Sequence, residues 1–193
     1  MSEEKKLLDA SCQKALVEVA WAAIEASVRD TAGYDLDCID EAIGRNPALA
    51  DPRAAFTTVY VNQELRGCLG EIRAEDPVAR VVARCAWRAA RLDPRFDPVR
   101  PDELARLDFK LSILTPSRRI HSPAEIVIGR DGLLIEHDYQ RGLLLPDVAS
   151  EHGWDVPTFL AHLYRKAGID PSVPLGETRL SAFETQIIDS HDF

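Results

Sequence analysis

"AAFTTVYVNQELRGCLGEIR", residues 54–73, decides how the chain folds. Phe56 to Val61 is rich in β-branched and aromatic residues, which fit a pleated, half-buried surface. Asn62-Gln63 sits where a two-residue hairpin turn belongs. Glu64 to Leu69 then reads as the return strand. Residues two apart in a strand share a face. Leu65 and Leu69 therefore point one way with Gly67 between them, and Arg66 and Cys68 point the other. Ile72 lies an odd number of residues beyond Leu69, so a bulge near Gly70 is expected to flip the pleat. Gly67 has no side chain and leaves room for a helix or a ligand to approach the backbone.

The flanks read in the same terms. "DPVARVVARCAWRAARLD" is a helix, with Asp76 as N-cap and Pro77 at its first position. Val78, Val81, Val82, Cys85, Ala89 and Leu92 form its buried stripe, and Pro94 and Pro98 stop it. "PDELARL" is a short helix. "LDFKLSIL" is a strand, because Leu107, Phe109, Leu111 and Ile113 alternate with Asp108, Lys110 and Ser112. Near the N-terminus Leu8, Cys12, Ala15, Leu16, Val19, Ala23 and Ile24 recur at helical spacing, which predicts a long helix from Glu4 to Asp30, with Gly33 just beyond. Tyr34 to Ala54 is acidic, carries two prolines and reads as an irregular connection that packs at Leu36, Ile39 and Ile43. "EIVIGRDGLLIEHDYQRGLLLP" suggests a short strand, an Asp131-Gly132 turn and a hairpin. "DVPTFLAHLYRKAG" is a helix capped by Asp155 and stopped by Gly168. Arg179 to Ile188 reads as a last strand. Strands come as hairpins with helices between them, so the fold class is α+β, with a largely antiparallel sheet flanked by helices.

Composition narrows the function. A chain of 193 residues, 46% hydrophobic and 28% charged, suits a single soluble globular domain. A net charge of -9 argues against a general binder of nucleic acid or anionic membrane, which needs surplus positive charge. Arg80, Arg84, Arg88 and Arg91 do make a basic stripe. Against 32 acidic residues it reads as a solvated face paired with carboxylates. Cys12, Cys38, Cys68 and Cys85 show no CxxC spacing, which fits reduced thiols in the cytoplasm better than a zinc or redox motif. The charged start "MSEEKKLLDA" lacks the apolar core of a signal peptide, and no run approaches membrane-spanning length. "GCLG" matches neither GxGxxG nor a Walker loop, and no HExxH or EF-hand pattern occurs, so no cofactor or metal is expected.

Cys68 is the candidate nucleophile, because a neighbouring cation such as Arg66 favours the reactive thiolate. The competing reading is a small buried hydrophobe in a bent strand. Arg95, between Pro94 and Pro98, is suited to grip a carboxylate or phosphate in two places; equally, it can pair internally with Asp93 or a glutamate and pin its own loop. A cysteine nucleophile also needs a base, normally histidine, and His121, His137, His152, His162 and His191 are available.

"LRGCLG" resembles the LRGC[IL]G signature of the AMMECR-type domain family, also called AmmeMemoRadiSam system protein A. The likeness continues through "AAFTTVYVNQELRGCLGEI", "AARLDPRFDPVRPDEL", "FKLSILTP", "GRDGLLI", "RGLLLPDVASEHGW" and "FLAHLYRKAG" in the family's order, roughly Leu7 to Ile188. The resemblance implies one domain with a larger and a smaller lobe, the LRGC segment lying near a cleft between them. It implies a cytoplasmic protein associated with Memo-type and radical-SAM proteins, and supplies no settled reaction. Gly67, Gly70, Asp93 and Arg95 lie in matched segments beside Arg66 and Cys68. So do His152, the histidine favoured as base, and Glu151, Trp154 and Lys166 as further lining residues; Trp154 reads first as a core anchor between the lobes. Tyr164 stands where many members carry cysteine, which speaks against a second thiol from that helix. Two functions follow: a protein binding or acting on a small anionic or carbonyl-bearing molecule through the Arg66/Cys68 face, or a non-catalytic module docking a system partner there.

Overall fold

The computed structural model describes residues 7–29 and 36–193, and the side chain of Leu36 is not among what it describes. The expected helix start at Glu4, its end at Asp30, the stop at Gly33 and the packing of Leu36 lie outside the described residues. The chain divides into two compact units, one running to Ile113 and resuming at Gln186–Phe193, the other Leu114–Thr185.

In the first unit, helix α1 is Ala10–Val28. Asp9 caps it by accepting the Cys12 N–H at 2.9 Å, so Leu7 and Leu8 precede the helix instead of opening it. Residues 36–50 are not the irregular connection expected. They form α2, Leu36–Arg45, followed by a 3-10 turn, Pro47–Ala50. Ile39 and Ala42 are buried and Ile43 half-buried, an apolar stripe one helical turn long that the surrounding acids obscure.

Strands β1 (Ala55–Val61) and β2 (Glu64–Glu71) form the expected antiparallel hairpin. Asn62 and Gln63 both take positive φ, 52° and 66°, the pair of left-handed residues that lets a two-residue turn follow the strands' twist. Helix α3, Val78–Arg91, is capped at Pro77 with no side-chain acceptor. Asp76 is therefore not the N-cap; its carboxylate is taken by Arg84 at 2.7 Å. Val78, Val81, Val82, Cys85 and Ala89 are buried as expected, but Leu92 is 52% exposed, because the helix ends one residue earlier and Leu92 leaves the stripe. Strand β3, Leu107–Leu114, pairs antiparallel with β1. The sheet order is β2-β1-β3-β8, where β8 is Thr185–Asp189. Ala55, Thr57, Val59 and Val61 of β1 and Phe109, Leu111 and Ile113 of β3 are buried, and the apolar ones among them share one core with α1 and α3.

The second unit has strand order β4-β7-β5-β6: Arg118–Arg119, Arg179–Phe183, Gly132–His137 and Gln140–Leu144. Helices α4 (Pro146–Glu151) and α5 (Val156–Ala167) complete it, around Leu133, Ile135, Phe159, Leu163 and Leu180. The α5 signals hold: Asp155 accepts the Thr158 N–H at 2.9 Å, and Gly168 ends the helix at φ +72°. Three expectations fail here. Residues 126–130 form turns and no strand. Asp131-Gly132 is not a turn: Gly132 opens β5 and Asp131 is fully buried, accepting the Val127 N–H at 2.9 Å and pairing with Arg118 and Arg130 at 2.8 Å each, while the hairpin expected after it is present as β5 and β6, turning at Asp138-Tyr139. The closing strand is two strands, β7 and β8, in different sheets. The α+β class with antiparallel sheets stands.

Candidate functional site

Opposite Val59 lies Gly67, and opposite Tyr60 lies Leu65, so Arg66 is the extra residue of a β-bulge. The bulge is at Arg66 and not near Gly70, which keeps regular pairing with Phe56. This changes the faces. Leu69, opposite the buried Thr57, is on the helix side; Leu65, opposite Tyr60 and 42% exposed, is on the outer side, so the two leucines do not share a face. Cys68 sits opposite Thr58 on the outer side.

Both glycines answer to packing. A Cβ on Gly67 would lie 3.0 Å from the carbonyl carbon of Ala89 and closer still to its oxygen, so what approaches this backbone is α3. A Cβ on Gly70 would lie 2.6 Å from Cε1 of Phe56.

The bulge turns Arg66 onto Glu103. Its Nε and Nη2 donate to the two carboxylate oxygens at 3.0 and 3.1 Å, and it donates further to the carbonyls of Asp97 and Pro98. Glu103 is buried, and its carboxyl is held below the usual range chiefly by this guanidinium. Arg66 is thus a clasp between the hairpin and residues 97–103. Arg66→Lys keeps the charge and loses the fork, so it should lower stability by about 1 kcal/mol in urea melts; an unchanged midpoint would show that the two-pronged contact is idle.

The cation that meets Cys68 is Arg95. Asp93, 3% exposed, accepts the Cys68 N–H at 2.8 Å and grips Arg95 through Nε at 3.0 Å and Nη2 at 2.7 Å. Arg95 Nη2 reaches back to the Cys68 carbonyl at 3.3 Å. The Asp93-Arg95 pair thereby occupies both backbone groups of an edge-strand residue, as a neighbouring strand would. Arg95, the Cys68 N–H and its own loop N–H outweigh burial and hold the Asp93 carboxyl well below the carboxylate range. The internal pair expected as one alternative for Arg95 is present. Its side chain is still 57% exposed, and Nη1 has no hydrogen bond among the described residues.

The thiol itself is half-buried, with Sγ 3.3 Å from Thr58 Oγ1. Register continues the row across the sheet: Cys68, Thr58, then Lys110, whose Nζ pairs with Asp189 at 3.2 Å. Sequence reasoning missed Thr58, Lys110 and Asp189 as neighbours of the site. Alternation put Lys110 on the polar side of its strand, but its place in the row depends on a register that the bulge sets.

His152, Glu151, Trp154 and Lys166 belong to the second unit. His152 Nδ1 lies 3.0 Å from the Val148 carbonyl and so donates to it, and its ring leans on Trp154 at 4.8 Å. Trp154 stacks on His162 at 3.7 Å and packs against the core of its own unit. Glu151 and Lys166 are exposed. The histidine of the first unit is His191, whose Nε2 lies 3.1 Å from Asp108. The arginine stripe is largely acid-paired as expected: Arg84 with Glu71 and Asp76, Arg88 with Glu71, and Arg80 with Asp40, while Arg91 donates to the Ser27 carbonyl. No helix among the described residues is long and apolar enough to cross a membrane.

The profile of the AMMECR1 family matches residues 17–188, beginning somewhat later than the resemblance read from the sequence. Protein MJ0810 of Methanocaldococcus jannaschii is 43% identical over 148 residues, covering 72% of this chain and 74% of that one. A protein of Methanothermobacter thermautotrophicus is 37% identical over 182 residues, 90% of this chain and 92% of its own. The crystal structure of an uncharacterized protein, PH0010 from Pyrococcus horikoshii, superposes with a TM-score of 0.77 at 31% identity, covering 93% of this chain and 92% of that one.

Proposed function

The chain belongs to the AMMECR1 family, and on that premise we propose that it binds a small anionic or carbonyl-bearing molecule at the Cys68 edge of its first sheet. The observation that carries the reading is the clamp. Cys68 is fixed through both backbone groups while its thiol stays half-exposed, and the guanidinium that fixes it has an Nη1 with no hydrogen bond among the described residues. A cation held in place beside a thiol draws an anionic group to it and costs little reorganisation on binding. Where the ligand carries an electrophilic carbonyl, the thiolate would add to its carbon and the charge would pass to the carbonyl oxygen, close to a guanidinium donor.

The test is alkylation of Cys68 followed by peptide mass mapping. Iodoacetate, an anion, should modify Cys68 several-fold faster relative to iodoacetamide than it does free cysteine, and Arg95→Gln should abolish that preference. If Cys68 reacts no faster than free cysteine with either reagent, and Arg95→Gln changes nothing, the reading fails. One feature favours docking instead: Leu65, 42% exposed, lies on the same outer face beside Tyr60. On that reading a Memo-type or radical-SAM partner would be retained in pull-downs by the intact chain and lost with Leu65→Asp.

A further inference from the structure

We propose that the outer face of the first sheet also carries a site for a small zwitterion, a molecule with an ammonium and a carboxylate a few bonds apart, such as an α-amino acid. A pocket of about 390 Å³ opens there, lined by Tyr60, Gln63, Asp108, Lys110, Asp189 and His191. That volume suits a small metabolite. The lining carries both signs of charge in fixed places. Lys110 pairs with Asp189 at 3.2 Å, and His191 meets Asp108 at 3.1 Å.

Neither pair uses up its groups. An ammonium has three donors, and Lys110 is engaged by one carboxylate; each aspartate has about four lone-pair positions, of which Asp189 gives one to the His191 N–H at 3.1 Å and another to Lys110. Burial pushes the Asp189 carboxyl up, but the His191 N–H and Lys110 pull it lower than that, so it is ionised at neutral pH. Both pairs are partly solvated, with Lys110 49% and His191 68% exposed. Contacts this open to solvent are weak, so they can be shared with a ligand at small cost. A simple anion entering the pocket would face two carboxylates, and a simple amine would face Lys110. A molecule with both groups places its carboxylate on Lys110 and its ammonium between Asp108 and Asp189, with the Tyr60 side chain as a wall. Lys110 is two strands from Cys68 in the same row, about 10 Å at the usual strand spacing. The ligand's remaining atoms would extend along that row, over Thr58. The site does not require Cys68 to react.

Titrating the whole protein with L-alanine, L-glutamine and L-lysine, followed by amide chemical shifts, tests it. Saturable shifts are expected at Tyr60, Gln63, Asp108, Lys110 and Asp189, with affinities in the millimolar range or better. Propionate and ethylamine, which keep one charge each, should bind about ten-fold more weakly. Lys110→Met and, separately, Asp108→Asn should each weaken binding about ten-fold while the spectrum stays dispersed, and Cys68→Ser should leave it unchanged. No saturable shift with any of the three amino acids overturns the proposal. So does propionate binding as well as L-alanine, which would make this an anion site. Loss of binding with Cys68→Ser would also overturn it, by moving the ligand to the thiol.

Discussion

Asp93→Asn should lower the unfolding free energy by roughly 2–3 kcal/mol at neutral pH, because it removes the charged acceptor of several hydrogen bonds at once. The amide keeps the shape. It can still accept from the Cys68 N–H, but it offers Arg95 no charge and brings an NH2 group toward the guanidinium. The Arg95 side chain is more than half exposed, so water compensates part of its loss and keeps the effect below that of a sealed ion pair. The pH dependence gives the claim its sign. The folded carboxyl titrates below its usual value, so its contribution is fully present above an unfolded pKa of about 3.9 and is lost as pH falls through the folded pKa. The gap between wild type and Asp93→Asn should be level through the neutral range and close in strong acid. Urea melts across that range measure it. A gap that does not narrow in acid would mean that the clamp works by shape and not by charge. The same variant should blunt the preference of Cys68 for iodoacetate, since Arg95 would lose the group that aims it.

How far the sequence could be read depended on whether the signal was local. The caps of α5 are local: an aspartate three residues before the N–H it accepts and a glycine needing positive φ, and both were found where they read. The hairpin was equally legible from β-branched residues around a two-residue turn. α2 was missed because its apolar positions are few and lie among acids, so composition outweighed period. The bulge was inferred correctly in kind and placed four residues late. An unbroken strand would put Leu65 and Leu69 on one face, yet Leu65 lies beside the hairpin turn, across the bulge from Leu69, where an apolar side chain of an edge strand can stay exposed. With the bulge moved to Arg66, the partner of each side chain changes. Arg66 leaves Cys68 for Glu103, and Arg95 arrives from a loop 27 residues away. Loop-to-strand contacts and three-strand rows such as Cys68–Thr58–Lys110 are set by tertiary register, and a single sequence carries no local mark of them.

Gly67→Ala should cost roughly 3 kcal/mol or more, and Gly70→Ala about 1 kcal/mol, although both put one methyl group on the same strand. The difference lies in what the methyl meets. At Gly67 it meets the Ala89 carbonyl, which is main chain. To make room α3 would have to withdraw, and Val78, Val81, Val82, Cys85 and Ala86 are all at most 1% exposed against the rest of that core. At Gly70 it meets the ring of Phe56, which is half-buried on the outer face and can turn aside. In both cases alanine also narrows the unfolded ensemble, which offsets about 0.4–1 kcal/mol and brings Gly70→Ala near neutrality where the ring moves freely. Equal losses in urea melts would mean that α3 yields as readily as a side chain, and the close approach would not be what excludes larger residues at Gly67. If the ranking holds, it separates the two halves of the LRGCLG hexapeptide. Arg66 and the two glycines are then accounted for by the bulge, the helix and the Phe56 ring. What packing leaves unexplained is the Cys68 thiol, facing outward beside Thr58 with its backbone clamped, and Leu65 on the same face, the two groups on which the proposed readings rest.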